Sequence, residues 1–393
     1  MKITDLEYHL VQIDRISGQP PVRSLLVFIG TDRGVGGWGE MPCQWQPIEV
    51  AGRRDAAASI LAGRSVYDLE DLHAQPVMPD VSLRAAIEMA CLDAVGRGHG
   101  LSLCGLLGGI YRQRIPLIVP LARQPEALIA DDPAGADSTG DRPAVQLPDM
   151  GEARAEQGDD SRSPEDQWSS RALRSARVLC DRGFHHLMVP ATGTPEVDVE
   201  TMLAIGQEHG SRVSLWCDGR RRYTFDQARD VCIELERIGP QLLLDPIATD
   251  RLGPVANLQR QVFVPLGVER AVNGPSDILA VVRNSAGRHV GIDPWRAGGL
   301  LPTRRCTAVA EAGQLQPLLR CRPSVGVATA ALLQLAASLP ELSAGIETDY
   351  HDLKQDILTA PLETHEGMST VTETPGLGVD IDRDRLEELT IGC

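Results

Sequence analysis

The chain has 393 residues, 42% hydrophobic and 23% charged, enough for a large core and for two domains of ordinary globular composition. A net charge of −16 argues against binding to phosphate backbones, and no apolar run reaches the ~20 residues that span a bilayer, so neither nucleic acid nor membrane is expected as a partner. Nine dispersed cysteines without CxxC or Cys/His spacing read as reduced thiols, and MKITDLEYHLVQI lacks a signal-peptide layout, so the expected compartment is the cytoplasm.

The first 116 residues read as a separate α+β unit. MKITDLEYHLVQI alternates as a strand does, residues 23–29 (RSLLVFI) form a second, and GWGEM opens a third after the glycine turn at 31–37. The polar, Gly/Pro-marked loop DRISGQPP (14–21) joins the first two. Helical patterns follow at 48–61 and 82–96. In the second, Leu83, Ala86, Ile87, Ala90, Cys91 and Ala94 make one apolar stripe, with Ser82 as the expected N-cap and Gly96 as the stop. Glu40 and Glu88, one on each element, read as structural or solvated carboxylates.

From residue 117 the pattern changes. LIVPL (117–121) is a first parallel strand. Residues 124–168 are rich in Asp, Glu, Gly, Pro and Ser and poor in apolar periodicity, the composition of a mobile insertion, and helical spacing returns at 171–180. Then come GFHHLMVP, SLWCDGRRRYT, QLLLDP, FVPLGVER, HVGIDPWRAGG and LQPLLRC, short apolar runs that end in polar residues and alternate with helical stretches. Such a series predicts an α/β fold, a (β/α)8-type barrel over 117–364 with its site at the strand C-terminal ends. Residues 365–393 return to the N-terminal unit.

These strand ends resemble the enolase superfamily, in its mandelate racemase/muconate-lactonising branch. So do LVFIGTDRGVGGWGE, the alanine-rich helix running into LLGGIYRQRIPL, and the PGLGV turn near the C-terminus. DGRRRYT and the fifth strand lean toward the mannonate-dehydratase-like members. The resemblance implies an N-terminal capping domain completed by the C-terminal segment, a 14–21 loop that closes over the barrel mouth, and a homo-oligomer. It also implies a small carboxylate or other anionic substrate and Mg²⁺ held by acidic side chains from strands three, four and five. The base would be a Lys-x-Lys pair on strand two, or an Asp and a His on strands six and seven. A hard cation and a positioned base are what removal of a carboxylate's α-proton needs.

Carried onto this chain, that constellation is broken. Met188 and Pro190 stand where the lysines would be. Asp218 falls on the first metal-ligand position, Leu244 on the second, and Glu269 is the third-ligand candidate. Asp245 could replace Leu244 only if the strand end is bulged, because neighbouring side chains face opposite ways. Asp293 falls on the dyad aspartate, Gly291 replaces a polar residue beside it, and Arg320, a poor base, falls on the dyad histidine. An Asp293–Arg320 ion pair is the expected substitute for the dyad. Ser324 lies where a glutamate for the eighth-strand region is common. Arg220, Arg296, Arg320 and Arg322 could line the mouth and clamp an anion, though Arg220–Arg222 also reads as an exposed basic turn. Two carboxylates would hold Mg²⁺ weakly or not at all. Two functional readings remain open. One is a divergent member whose Mg²⁺-dependent chemistry is impaired or lost and whose mouth binds a small anion. The other is an active Mg²⁺-dependent dehydratase or racemase of hydroxy acids or acid sugars, using a base such as His185, His186 or Tyr223.

Overall fold

The computed structural model describes residues 1–74, 80–121, 164–342 and 344–391. Most of the insertion expected at 124–168 lies outside the described residues. Its last part does not read as expected: α5 (Pro164–Asp181) begins before residue 168, and Trp168 is buried. The polar PEDQ start hid this helix from an apolar-period reading.

The N-terminal unit is an antiparallel sheet in the order β1 (Ile3–Ile13), β2 (Val22–Thr31), β3 (Gly36–Pro42). The central strand, β2, is buried almost throughout. α1 (Pro47–Leu61), α2 (Leu69–Ala74) and α3 (Val81–His99) follow, then the short α4 (Leu103–Leu106). The glycines of β3 explain why an alanine-rich helix packs here. A Cβ on Gly39 would stand 1.9 Å from the Ala86 carbonyl oxygen, and one on Gly37 would stand 2.2 Å from that of Ala90. α3 runs longer than its apolar stripe suggests. Asp80, not Ser82, accepts the capping bond from the Leu83 N–H at 3.0 Å, and Gly100, not Gly96, closes the helix in the left-handed conformation.

Eight parallel strands then close a barrel: β4 (Arg114–Pro120), β5 (His186–Pro190), β6 (Ser214–Asp218), β7 (Leu242–Leu244), β8 (Leu266–Val268), β9 (His289–Ile292), β10 (Gln316–Cys321) and β11 (Ile346–Thr348). β11 pairs back to β4 through Ile346–Leu117 and Glu347–Ile118. Outside the strands run α5, α6 (Pro195–His209), α7 (Phe225–Leu235), α8 (Leu252–Gln259), α9 (Pro275–Asn284), α10 (Pro294–Ala297), α11 (Leu300–Ala312) and α12 (Gly326–Ser338). Ile118, Met188, Trp216, Leu242, Leu244, Leu318 and Ala344 pack together as the apolar filling of the barrel. This filling is a floor, and polar groups at the strand C-terminal ends stand above it.

Beyond β11, β12 (Thr364–His365) and β13 (Met368–Thr370) form a hairpin whose second strand pairs with β4. α13 (Arg383–Leu389) leads the chain back to β1, where the Ile391 N–H donates to Leu10 at 2.8 Å. Buried carboxylates tie the N-terminal unit to the rest of the chain. Glu40 on β3 accepts from the N–H groups of Val325 at 2.6 Å and Ala328 at 2.7 Å, at the start of α12. Glu88 on α3 accepts from Leu300 and Leu301 at the start of α11. Asp93 accepts from Trp38 at 2.9 Å and from Leu377, in the PGLGV turn, at 2.8 Å. Glu40 and Glu88 are thus placed as helix-capping groups. The described cysteines are unpaired and, Cys180 excepted, buried. No described helix is long and apolar enough to cross a membrane.

Candidate functional site

Strand register decides which side chains reach the barrel mouth. Met188, Asp218 and Leu318 are opposite Trp216, Leu244 and Gly291 respectively, and Arg320 is opposite Glu347. Alternation along each strand therefore sends Asp218, Glu269, Arg320 and Glu347 to one level. Arg320 is the hub. Its Nη1 donates to Glu269 Oε2 at 2.6 Å, its Nη2 donates to Asp218 Oδ2 at 2.9 Å, and its Nε pairs with Glu347 Oε2 at 2.6 Å. Arg322 supports the same group, with Nε 2.8 Å from Glu347 Oε1 and Nη2 3.8 Å from Asp218 Oδ2. All four of the central residues are buried, Glu347 completely.

The electrostatics follow from that packing. Burial alone would raise the Asp218 pKa, but the charges of Arg320, Arg322 and Arg270 outweigh it and hold the carboxyl below its ordinary range. Burial alone would likewise discharge Arg320, yet Glu347, Glu269 and Asp218 keep it firmly protonated. Gly291 has a steric reason: a Cβ there would meet Glu269 Cβ and Cγ at 2.6 Å, so a larger residue would push aside the carboxylate that reaches Arg320.

The remaining residues singled out in the sequence are placed as follows. Leu244 is fully buried in the apolar floor beside Met188 and Trp216, so the second metal-ligand position carries hydrocarbon. Asp245 adopts φ +42 and turns its carboxylate onto the N–H groups of Glu269 at 3.1 Å and Arg270 at 2.9 Å. It caps the end of β8, and the bulge-type rescue of the Leu244 position is not what its geometry serves. Burial, then the neighbouring Glu269 charge, pushes its pKa up to about 6.

The expected Asp293–Arg320 pair is replaced by other contacts. Asp293 Oδ1 accepts from Trp295 N at 2.8 Å and Arg296 N at 3.2 Å, capping α10, while Arg320 is committed to its three carboxylates. Burial, followed by the Glu269 charge, raises the Asp293 pKa to about 6. Arg296 braces the loop after β8 through the Arg270 carbonyl and Asn273, with Glu269 3.5 Å away. In the turn after β6, Arg220 and Arg221 both have positive φ, 54 and 58. The Arg220 N–H donates to Asp218 Oδ1 at 3.1 Å, Arg221 pairs with Asp250, and Arg222 donates to the Thr192 carbonyl at 3.0 Å.

The other base candidates lie elsewhere. Tyr223 is buried with its hydroxyl donating to Asp198 at 2.6 Å. His185 is exposed, and His186, two residues before Met188, is on the barrel's inner face at its opposite, N-terminal end. Ser324 lies in the turn between β10 and α12 and donates to the Cys321 carbonyl at 3.0 Å. The eighth-strand glutamate is Glu347 instead. Sequence reasoning missed it because β11 is only three residues long, although GIE within SAGIETDY was the available signal.

Above this cluster is a cavity of about 150 Å³ lined by Asp218, Glu269, Asp293, Arg220, Arg270, Arg320 and Arg322, with Pro120, Met188 and Pro190 as its apolar side. Arg270 is a second residue the sequence reading passed over. The 14–21 loop sits at the rim beyond β11. Arg15 pairs with Asp349 at 2.8 Å, and the backbone N–H and hydroxyl of Ser17 donate to Asp352 at 2.8 and 2.6 Å.

Two family descriptions match the chain. Residues 16–108 match the mandelate racemase/muconate lactonizing enzyme N-terminal domain, and residues 171–385 match the enolase C-terminal domain-like family. The chain belongs to the mandelate racemase/muconate lactonizing branch of the enolase superfamily. It is 26% identical to a chloromuconate cycloisomerase of Cupriavidus pinatubonensis, over 98% of this chain and 95% of that one. It is 27% identical to a probable glucarate dehydratase of Streptomyces coelicolor, over 94% and 84%. A solved structure of an isomerase from Streptomyces coelicolor aligns with a TM-score of 0.80 at 26% identity, covering 99% of this chain and 96% of that one.

Superfamily members generally use Mg²⁺, and the residues here do not fit that ion as they stand. Mg²⁺ takes near-octahedral oxygen ligation at ~2.0–2.1 Å. Leu244 offers no oxygen, Asp245 is turned to backbone donors, and the converging carboxylates enclose a guanidinium. Among the described residues no group of three His, Cys, Asp or Glu side chains is arranged to hold a metal ion.

Proposed function

We propose that this member of the family no longer carries out Mg²⁺-dependent α-proton abstraction and that its barrel mouth instead binds a small carboxylate or similar anion. One observation carries the reading: Arg320 lies among Asp218, Glu269 and Glu347, where the chemistry would need an electrophilic cation with open coordination positions. A guanidinium supplies charge and directed N–H groups but cannot take an enediolate oxygen into a metal's coordination shell. Arg220, Arg270, Arg320 and Arg322 all line the cavity, and its small volume suits a compact anion. Thermal melts with small mono- and dicarboxylates and with sulfate test the reading. A saturable rise in Tm, diminished in Arg220→Gln, supports it by mass action. No response to any anion in the series counts against the binding role.

A second reading, an active dehydratase or racemase of hydroxy acids or acid sugars, draws support from Asp293. This buried carboxyl lines the cavity and has a pKa raised to about 6, where a proton-transfer group is useful. Turnover of an acid sugar that is abolished by Asp293→Asn would favour it over the first.

A further inference from the structure

The N-terminal unit holds a second cavity, of about 250 Å³, where the start of β1, the α1–α2 connection and α3 meet. It is roomier than the barrel mouth, and roomier than a ~150 Å³ apolar cavity that takes up benzene. Ile3, Leu61, Leu69, Leu72 and Cys91 make its apolar side, and all are buried. Lys2, Arg64, Ser65, Asp68 and Asp71 make its polar side.

Backbone donors beside the cavity are committed locally. The Ile3 N–H donates to the Arg64 carbonyl at 2.8 Å, Gly63 to Ile3 at 2.9 Å, Val66 to Met1 at 3.1 Å and Asp68 to Ser65 at 3.2 Å. A ligand is therefore read by side chains. Arg64 is taken up by the Ile60 carbonyl and by Asp71. The Lys2 ammonium and the Asp68 carboxylate differ: neither has an ion-pair partner within 4.0 Å among the described residues, so they do not pair with each other. Opposite charges that line one cavity and stay apart suit a ligand that carries both signs, and the apolar side suits hydrocarbon. We infer that this cavity binds an apolar α-amino acid, with its carboxylate at Lys2, its ammonium at Asp68 and its side chain on Leu61, Leu69, Leu72 and Cys91. A simple fatty acid leaves Asp68 unmatched, and a simple amine leaves Lys2 unmatched. A polar side chain leaves its own groups without partners on the apolar side. The site is separate from the barrel mouth and does not depend on whether the mouth binds an anion.

The test is calorimetric titration of the full chain with L-leucine, glycine, leucinamide and 4-methylpentanoate. The samples are the wild type, K2Q and D68N, each also in the R220Q background, where carboxylate binding at the barrel mouth is weakened. Lys2 and Asp68 are exposed, so both substitutions should leave the fold intact. One leucine should bind per chain, with glycine at least about tenfold weaker because it lacks the buried hydrocarbon. Leucinamide and 4-methylpentanoate each lack one charge and should bind about threefold to fivefold more weakly than leucine, the scale of one exposed ion pair. K2Q should weaken leucine by a similar factor and leave leucinamide unaffected. D68N should weaken leucine and leave 4-methylpentanoate unaffected. A substitution that only loosened the unit would weaken every ligand alike. Three results would overturn the inference: no saturable leucine binding, leucine affinity untouched by K2Q and D68N, or leucine binding that R220Q removes, which would place it in the barrel mouth.

Discussion

Two regions of this molecule bury carboxylates, and they neutralise them differently. In the seam between the N-terminal unit and the barrel, Glu40, Glu88 and Asp93 accept backbone N–H groups, two of them at the first turns of helices. In the barrel mouth, Asp218, Glu269 and Glu347 meet arginines. Asp93 also pairs with Arg97 at 3.0 Å and Glu88 meets His73 at 3.1 Å. Glu40 has neutral donors alone, which satisfy hydrogen bonds without cancelling charge, so burial dominates and its pKa rises to about 7. Guanidiniums cancel charge, and Asp218 is held below its ordinary range despite equal burial. Glu40 in the seam therefore responds to pH near neutrality, whereas in the mouth Asp218 keeps its charge into strong acid, although Asp293 beside it is raised to about 6.

The largest expected effect comes from breaking the charge centre. Arg320→Met leaves three carboxylates facing a neutral side chain, and chemical denaturation should show a loss of about 3–5 kcal/mol, as for other buried pairs that lose one partner. A loss below about 1 kcal/mol would mean that the cluster is hydrated and loosely paired.

Below the charges, the floor behaves as ordinary hydrocarbon. Leu244→Ala should cost about 2–5 kcal/mol through the cavity it leaves. It should leave the acid limb of the stability profile unchanged, because the Asp218 contacts remain. A shifted acid limb would show that floor and charge centre are coupled.

The seam gives the smallest effect, visible as a slope. Glu40 has a folded-state pKa of about 7, above its ordinary 4.5, so between these values the native state holds more protons than the unfolded chain. Stability from this group is therefore present below its unfolded value and is lost as pH rises toward 7. Glu40→Gln should flatten that decline by about 1–3 kcal/mol between pH 5 and pH 8, read from denaturation midpoints at each pH. Asp218 contributes in the opposite sense: its depressed pKa gives stability above its ordinary value of 3.8 that is lost as pH falls through the folded-state value. An unchanged slope in Glu40→Gln would move the neutral-range titration to another buried group, such as Asp245 or Asp293.

Much of the frame was legible in the chain. Apolar runs ending in DG, DP, ER and DP marked the strands, and the Ala-rich helix with its apolar stripe marked the cap, because both record local periodicity. Boundaries were less legible where sequence and burial disagree. α5 starts in a polar stretch, and Asp80 caps a helix whose apolar stripe begins three residues later.

In the site, the substitutions at Met188, Pro190, Leu244 and Arg320 could be read directly, but their consequences could not. Asp245 turns away because of a positive φ that no neighbouring glycine announces. Glu347 sits in a three-residue strand without an apolar run, and only barrel closure brings it opposite Arg320. The convergence of β6, β8 and β11 on one guanidinium is a radial property of the barrel, which linear spacing does not encode.

The central claim is that Arg320, not a metal, neutralises the mouth. Its most direct test is a thermal melt of chelator-stripped wild-type protein with and without millimolar Mg²⁺, with elemental analysis of the protein as purified. No saturable rise in Tm and no stoichiometric metal is the predicted result. A saturable rise that disappears in Asp218→Ala would contradict the claim.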